Sequence, residues 1–348
     1  MKTVTGWIIA FITAGLAALG GLTFWYWATP AQSLRPYAGP AEKITVSTSA
    51  DAKSALLFIA QDKGYFSQNG LEVALKTFPS GKMGCEQLKA GKIDIANAAD
   101  FVLVSEVFDG TTSLRCLGSI AAADDHRVIA RKDRGILAPG DLRGRRIGAP
   151  QGTVAEFFLG RFLAFNHLGL SDVEFVDVNA SDLEDALATG RVDAVVVWEQ
   201  WAYAIKKRLG DQVAAWPGQS GQKYYWLLMS TDSWAKARPN ALKRLFSALD
   251  QAEIFLKNHR QASIEIIARW VNLDPAFIKD SLSRSTFAIS LDQALFIMME
   301  DEARWMIKNK LAWQARVPNY LNYMDAEALL RVNPKAVGLI VPRRAAPQ

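Results

Sequence analysis

The hydrophobic and polar positions fall into three regimes along the chain. Residues 7–28 (WIIAFITAGLAALGGLTFWYWA) form an apolar run inside a stretch that carries no charge between Lys2 and Arg35. From about residue 43 to 223, short apolar runs alternate with segments of helical period. The spacing predicts strands over 44–47, 71–78, 93–96, 114–120, 127–130, 146–149, 174–178 and 192–197. It predicts helices over 54–62, 82–90, 101–108, 153–168, 183–188 and 199–209. Beyond Pro239 the period is almost entirely helical, as over 241–257, 263–271 and 292–308. Strands alternating with helices predict parallel sheets covered by helices.

The first regime has the length of a membrane segment. At a rise of about 1.5 Å per residue, residues 7–28 would cover about 30 Å, the thickness of a bilayer core. The run closes on Phe24, Trp25, Tyr26 and Trp27, which suit an interfacial aromatic belt. A secretory signal has a shorter apolar core and a small-x-small cleavage site, of which Thr29-Pro30-Ala31 is a poor version. Residues 1–28 are therefore an uncleaved anchor or a cleaved signal, and in both cases the body is exported, with Lys2 inside. Residues 29–42 contain three prolines and read as an extended linker.

One internal repeat is informative. Residues 86–95 (EQLKAGKIDI) match 185–194 (DALATGRVDA) at an offset of 99. In each copy a helix stops at a glycine, Gly91 or Gly190, and a basic residue and an aspartate lead into an apolar strand. Two similar α/β lobes are expected. Under the same offset Asp100 falls opposite Glu199, both after a strand and before a helix. Ligands of open α/β sheets bind outside the carboxyl ends of strands, so these two acids are expected to line a cleft from opposite sides. The alternative is that each caps the helix behind it.

Composition narrows the function. The chain has 348 residues, half of them hydrophobic and 22% charged, an ordinary globular balance with room for about two domains. A net charge of +5 without a basic block gives no nucleic-acid surface. Three histidines and two cysteines leave little material for a metal site, and no cofactor is expected. Cys85 and Cys116 would share one lobe in an oxidising compartment, either bonded to each other or as two buried thiols.

Several segments, weak singly but specific in their order, carry a resemblance. They are 57–66 (LFIAQDKGYF) with 70–73 (GLEV), 78–81 (FPSG), 88–94 (LKAGKID), 141–148 (DLRGRRIG) and 189–198 (TGRVDAVVVW). Over about residues 43–335 the chain resembles the substrate-binding proteins of ABC importers, in the nitrate/taurine/aliphatic-sulfonate and thiamine-precursor-like group. The resemblance implies a type II periplasmic-binding fold, with two α/β lobes around a cleft. Lobe one would comprise 43–127 plus 224–335 and lobe two 128–223, joined near Arg127 and Tyr224, with a tail over 336–348. It implies ligand contacts from Ser47, Thr48 and Ser49, from Ser80 and Gly81, and from Ala98, Ala99 and Asp100. Gly152, Thr153, Trp198 and Glu199 complete the matched loops. Many relatives carry Trp-Asp-Pro at the last loop, where this chain has Gln200 and Trp201 in place of the proline and its neighbour.

The chemistry of these positions suits binding. Gly152-Thr153 precedes a helix whose free N–H groups and dipole can hold an anion, although Thr153 also serves as a plain N-cap. Ser47, Thr48, Ser49 and Ser80 are small donors for oxyanions or amides, or ordinary loop residues. Trp198, Trp201, Tyr224 and Tyr225 can wall a flat or aliphatic ligand, or belong to the core. Carboxylates at Asp100 and Glu199 would repel a bare anion such as nitrate. A zwitterion such as taurine, or an amino-pyrimidine, is the better expectation.

The expected protein is thus not an enzyme but an extracytoplasmic, monomeric solute-binding component. Its partners would be a small organic solute, an ABC permease with its ATPase, and the inner membrane through residues 7–28. It would lie in the periplasm or on the extracytoplasmic face of the membrane. The alternatives are an enzyme on the same fold and a membrane-tethered sensory binding module. Against the first, no nucleophile-and-base constellation is visible in the sequence.

Overall fold

The computed structural model describes residues 37–340, so the expected membrane segment at 7–28 lies outside the described residues. The folded body begins at Ala38.

In chain order the body begins with β1 (Glu42–Ser49), α1 (Ala55–Asp62), β2 (Leu71–Phe78), α2 (Gly81–Lys89), β3 (Ala96–Ala99), α3 (Asp100–Phe108) and β4 (Leu114–Ala123). It continues through β5 (His126–Arg131), β6 (Arg146–Ala149), α4 (Val154–Phe165), β7 (Glu174–Asp177), α5 (Leu183–Ala188), β8 (Ala194–Trp198), α6 (Glu199–Leu209) and β9 (Val213–Pro217). The chain then runs through β10 (Tyr224–Thr231), α7 (Pro239–Asn258), α8 (Arg260–Val271), α9 (Pro275–Ser283), β11 (Ser285–Thr286) and α10 (Gln293–Lys308).

These strands make two bodies. In the first, β2 pairs with β1, and a parallel bridge from Val46 to Ile95 leads to the ladder β3-β10-β4-β11. In the second the order is β7-β6-β8-β5-β9. The sheets are mixed rather than parallel: β1/β2, β6/β7 and β6/β8 run parallel, while β10 is antiparallel to β3 and β4, and β5 to β8 and β9. The antiparallel strands β5 and β10 are the ones the chain enters as it passes between bodies. Neither β9 nor β10 is marked by alternation: β10 (YYWLLMST) is a continuous apolar run buried on both faces. β3 also lies three residues later than its pattern suggests, because 93–95 form the lead-in that bonds to β1.

The repeated aspartates have one job in both bodies. The Asp94 N–H donates to the Thr45 carbonyl at 2.9 Å, and its Oδ2 accepts the Thr45 N–H at 2.7 Å. The Asp193 N–H donates to the Arg146 carbonyl at 2.8 Å, and its Oδ2 accepts the Arg146 N–H at 3.1 Å. Each therefore extends a short parallel ladder by one side-chain bond. Gly91 and Gly190 turn the chain there with φ of 67° and 76°, which a side chain would strain.

Two strands of chain join the bodies, at Asp124–Asp125 and at residues 218–223. Gln219 ties them together. Its Oε1 accepts the N–H groups of Asp125 (2.7 Å) and His126 (2.8 Å), and its Nε2 donates to the carbonyls of Ala123 (3.0 Å) and Gln222 (2.6 Å). An aromatic cluster packs beside this junction. Phe101 and Trp305 of the first body meet Phe157 of the second with ring centroids 5.4–6.0 Å apart. Cys85 and Cys116 are buried free thiols.

Candidate functional site

The cavity lies where the two bodies face each other. α2 starts at Ser80, whose side chain caps the helix by accepting the Met83 N–H. A Cβ at Gly81 would lie 2.6 Å from the Ala98 Cα, so only glycine lets α2 settle this closely on β3. Ser80, Gly81 and Lys82 thereby form one wall, with Ala99, Val102, Lys53, Tyr224 and Trp226. The second body supplies His126, Trp198 and the start of α4 at Thr153 and Val154. About 300 Å³ of atom-free space, partly open to solvent, lies among these groups. The walls from the two bodies approach closely here.

A buried charge cluster forms the floor. Lys53 Nζ lies 2.7 Å from Asp125 Oδ2 and 3.3 Å from Asp51 Oδ2, and 5.5 Å from the centre of the Trp226 ring. Burial pulls the Lys53 ammonium down, but the two carboxylates outweigh it and hold it above the ordinary lysine value. Burial likewise pushes Asp125 up, and the Lys53 ammonium, helped by the hydrogen bond from the His126 ring, overcomes it and holds the carboxyl well below the usual range. The Tyr224 hydroxyl donates to Asp125 Oδ1 at 3.0 Å, and burial raises this phenol far above its ordinary value. The two carboxylates sit behind Lys53, whose ammonium, with Lys82, is the charge on the cavity wall itself.

The structure places the expected site residues unevenly. Ser80, Gly81, Ala99, Thr153 and Trp198 meet in the cavity, and Gly152 lines an adjoining polar hollow of about 600 Å³ with Lys82, Glu106 and Glu156. Ser47 is buried behind α2 and accepts the Asn97 N–H at 2.9 Å. Thr48 pairs with the Thr77 hydroxyl at 3.0 Å, Ser49 donates to Asp51 at 2.6 Å, and Ala98 lies under Gly81. Tyr225 is half-buried, with its N–H on Asp100. Lys53, Lys82, Val102, His126, Val154 and Trp226 are cavity residues that sequence reasoning missed.

The two acids do not face each other across the cavity. Asp100 is fully buried beneath β10, where its Oδ2 accepts the Tyr225 N–H at 2.9 Å. Burial pushes its carboxyl up to about 7. Beside it lies Glu302 of α10, also fully buried, with neither oxygen in a regular hydrogen bond among the described residues. Glu199 instead reaches out of the second body to Arg284 of the first, at 2.7 and 3.0 Å. Its alignment with Asp100 holds for the backbone, since both open a helix, but not for the direction of the carboxyl.

The start of α4 is likewise already engaged. The Gly152 N–H donates to Glu156 Oε2 at 2.8 Å, so the helix's own carboxylate takes the place expected for an anion. Burial keeps Glu156 above the ordinary carboxyl value. Thr153 Oγ1 does not cap the helix but donates to the Pro150 carbonyl at 2.7 Å. Lys82 Nζ spans the mouth of the cleft to the Gln151 carbonyl at 2.8 Å.

Two α/β bodies joined by two crossings, with a cavity lined from both, define the periplasmic-binding-protein class of fold. The chain belongs to the family described as NMT1/THI5 like, which matches residues 51–263. It is 24% identical over 226 residues to a candidate binding protein of Brucella abortus (strain 2308), covering 64% of this chain and 69% of that protein. Among solved structures it is similar to the alkanesulfonate-binding protein SsuA from Xanthomonas axonopodis pv. citri bound to MOPS. That likeness has a TM-score of 0.71 at 20% identity, covering 83% of this chain and all of that one. It is also similar to the desulfurization enzyme DSZB, at a TM-score of 0.64 and 20% identity, over 84% of this chain and 99% of that one.

Proposed function

We propose that the chain is the extracytoplasmic solute-binding component of an ABC importer, which captures a small organic solute between its lobes and delivers it to a permease. The carrying observation is the cavity itself, lined from both bodies and flanked by only two crossings. A solute that touches both walls favours the closed arrangement, which is a hinge population shift. The lobes of this reading are 43–127 with 224–335, and 128–223. Residues 7–28 would hold the protein, as a monomer, at the outer face of the membrane and so near its permease. Among the described residues no helix is long and apolar enough to cross a membrane.

The solute class follows from the walls. The aromatic faces of Trp198, Trp226 and Tyr224 suit a flat ring. Lys53 and Lys82 line the cavity while Asp51 and Asp125 stand behind Lys53, so charge alone does not set the solute and the aromatic faces decide. An amino-pyrimidine-like solute suits those faces better than taurine. Neither Asp100 nor Glu199 lines the cavity, so neither carboxylate calls for a zwitterion there.

An enzyme on the same fold is the second reading, favoured by the likeness to DSZB. Against it, both thiols are buried and pushed up to about 12 by burial, which suppresses the nucleophilic thiolate. The test is a thermal-shift screen of the full chain with amino-pyrimidines, alkanesulfonates, taurine and nitrate. Each solute is recovered afterwards and weighed by mass spectrometry. A saturable rise in melting temperature with unaltered amino-pyrimidine is expected. A rise with alkanesulfonates alone would replace the solute class, and an altered solute would favour the enzyme.

A further inference from the structure

His126 is the first residue of β5, just past the crossing, and is almost wholly buried while lining the cavity. Its ring is held on three sides by Phe158, Tyr224 and Trp198, with centroids 5.2, 5.1 and 6.1 Å away. Its Nδ1 lies 3.1 Å from Asp125 Oδ1 and 3.2 Å from Gln219 Oε1. The identity of that Gln219 atom is fixed by its neighbours: the oxygen end accepts two backbone N–H groups and the nitrogen end donates to two carbonyls. A flipped amide would oppose donor to donor and acceptor to acceptor. Nδ1 therefore faces two acceptors and must carry the proton. In the neutral ring Nε2 is then a lone-pair acceptor. It is buried and has no hydrogen-bond partner among the described residues.

A buried acceptor without a partner is costly, and native proteins rarely leave one unfilled away from functional sites. We propose that His126 Nε2 is a specificity-determining acceptor, which receives an N–H or O–H donor from the bound solute while Asp125 and Gln219 hold the ring in the Nδ1–H tautomer. This rests on the solute-binding reading and deepens it. The cavity selects for a donor edge on a flat ring, because a solute that places a methyl group there leaves Nε2 unfilled. Asp125 and Gln219 also belong to, or bind, both crossings, so the tautomer is set by the same bonds that set the junction.

Two measurements on the full chain test this. The first is nitrogen NMR of histidine-labelled protein, which reads the protonation of each ring nitrogen directly. His126 is expected to show a protonated Nδ1 and an unprotonated Nε2, and a protonated Nε2 overturns the proposal. The second is a ligand-observed titration with 2-aminopyrimidine and 2-methylpyrimidine, neutral rings of equal size that differ by one donor group. The amino compound is expected to bind roughly tenfold more tightly, and His126→Phe, which keeps a ring without an acceptor, should bring the two to within about twofold. Equal affinities in the wild type, a preference that survives His126→Phe, or binding of neither ring would each overturn the donor assignment. The broader solute-binding reading is decided separately by the screen above, in which other solutes can still bind.

Discussion

Replacing Glu302 by glutamine tests the buried acid pair at a site away from the cavity. Asp100 and Glu302 are both fully buried, and two carboxylates so placed cannot both ionise at low cost. Burial raises Asp100 to about 7, and burial with the Asp100 charge raises Glu302 well above the ordinary range. In the unfolded chain both titrate near pH 4. Between about pH 4 and 7 the folded state thus binds more protons than the unfolded one, and stability falls as pH rises through this window. For Asp100 the shift from 3.8 to about 7 corresponds to about 4 kcal/mol at most, lost by pH 7 and level above it. Glu302 acts in the same direction. In a body of this size that is roughly 10 °C in melting temperature. Glutamine keeps the shape, cannot ionise and offers an N–H to Asp100. Glu302→Gln should therefore gain several degrees over wild type at pH 8 and almost nothing at pH 4.5, by differential scanning fluorimetry. A wild-type melting temperature that does not fall between pH 5 and 7.5, or a variant equally destabilised at both ends, would refute the reasoning.

Other perturbations read other parts of the structure. Lys53→Met leaves Asp51 and Asp125 buried without their ammonium and should cost about 3–5 kcal/mol in urea unfolding. Asp125 also opposes acid: its depressed carboxyl gives stability that is present above the unfolded value and is lost as pH falls below about 4, opposite in sign to Asp100. Gly81→Ala drives a Cβ to 2.6 Å from backbone and should cost about 1–3 kcal/mol while disturbing the cavity wall, read as a lower urea midpoint with altered tryptophan fluorescence. Glu199→Gln removes the charge that pairs with Arg284 between the bodies. It should weaken closure by about 1 kcal/mol, seen as a larger radius of gyration in X-ray scattering, with no change in which solute binds.

The parts of this molecule that were legible in the sequence are those that local chemistry decides. The helix 199–209 and strand 71–78 follow their periods to the residue, and the Gly-basic-Asp repeat marks equivalent positions of both sheets. The family-like loops led to Ser80, Gly81, Thr153 and Trp198, which the structure brings to the cavity wall. What the sequence hid depends on distant partners. Lys53 looks like a surface lysine until Asp125, 72 positions away, is brought to 2.7 Å. β10 escaped because a strand buried on both faces shows no alternation, and with it went Trp226. Asp100 and Glu199 share a place on the backbone, yet one turns under β10 and the other out to Arg284. Such a choice is made by packing and not by spacing.

The central claim is that a solute is held between the bodies against the aromatic wall. Calorimetric titration of the full chain and of Trp198→Ala with the solute that the screen selects tests it most directly. Saturable single-site binding to the wild type, weakened at least roughly tenfold in the variant, is the predicted result. Equal affinity in the variant, or no saturable binding by the wild type, would contradict it.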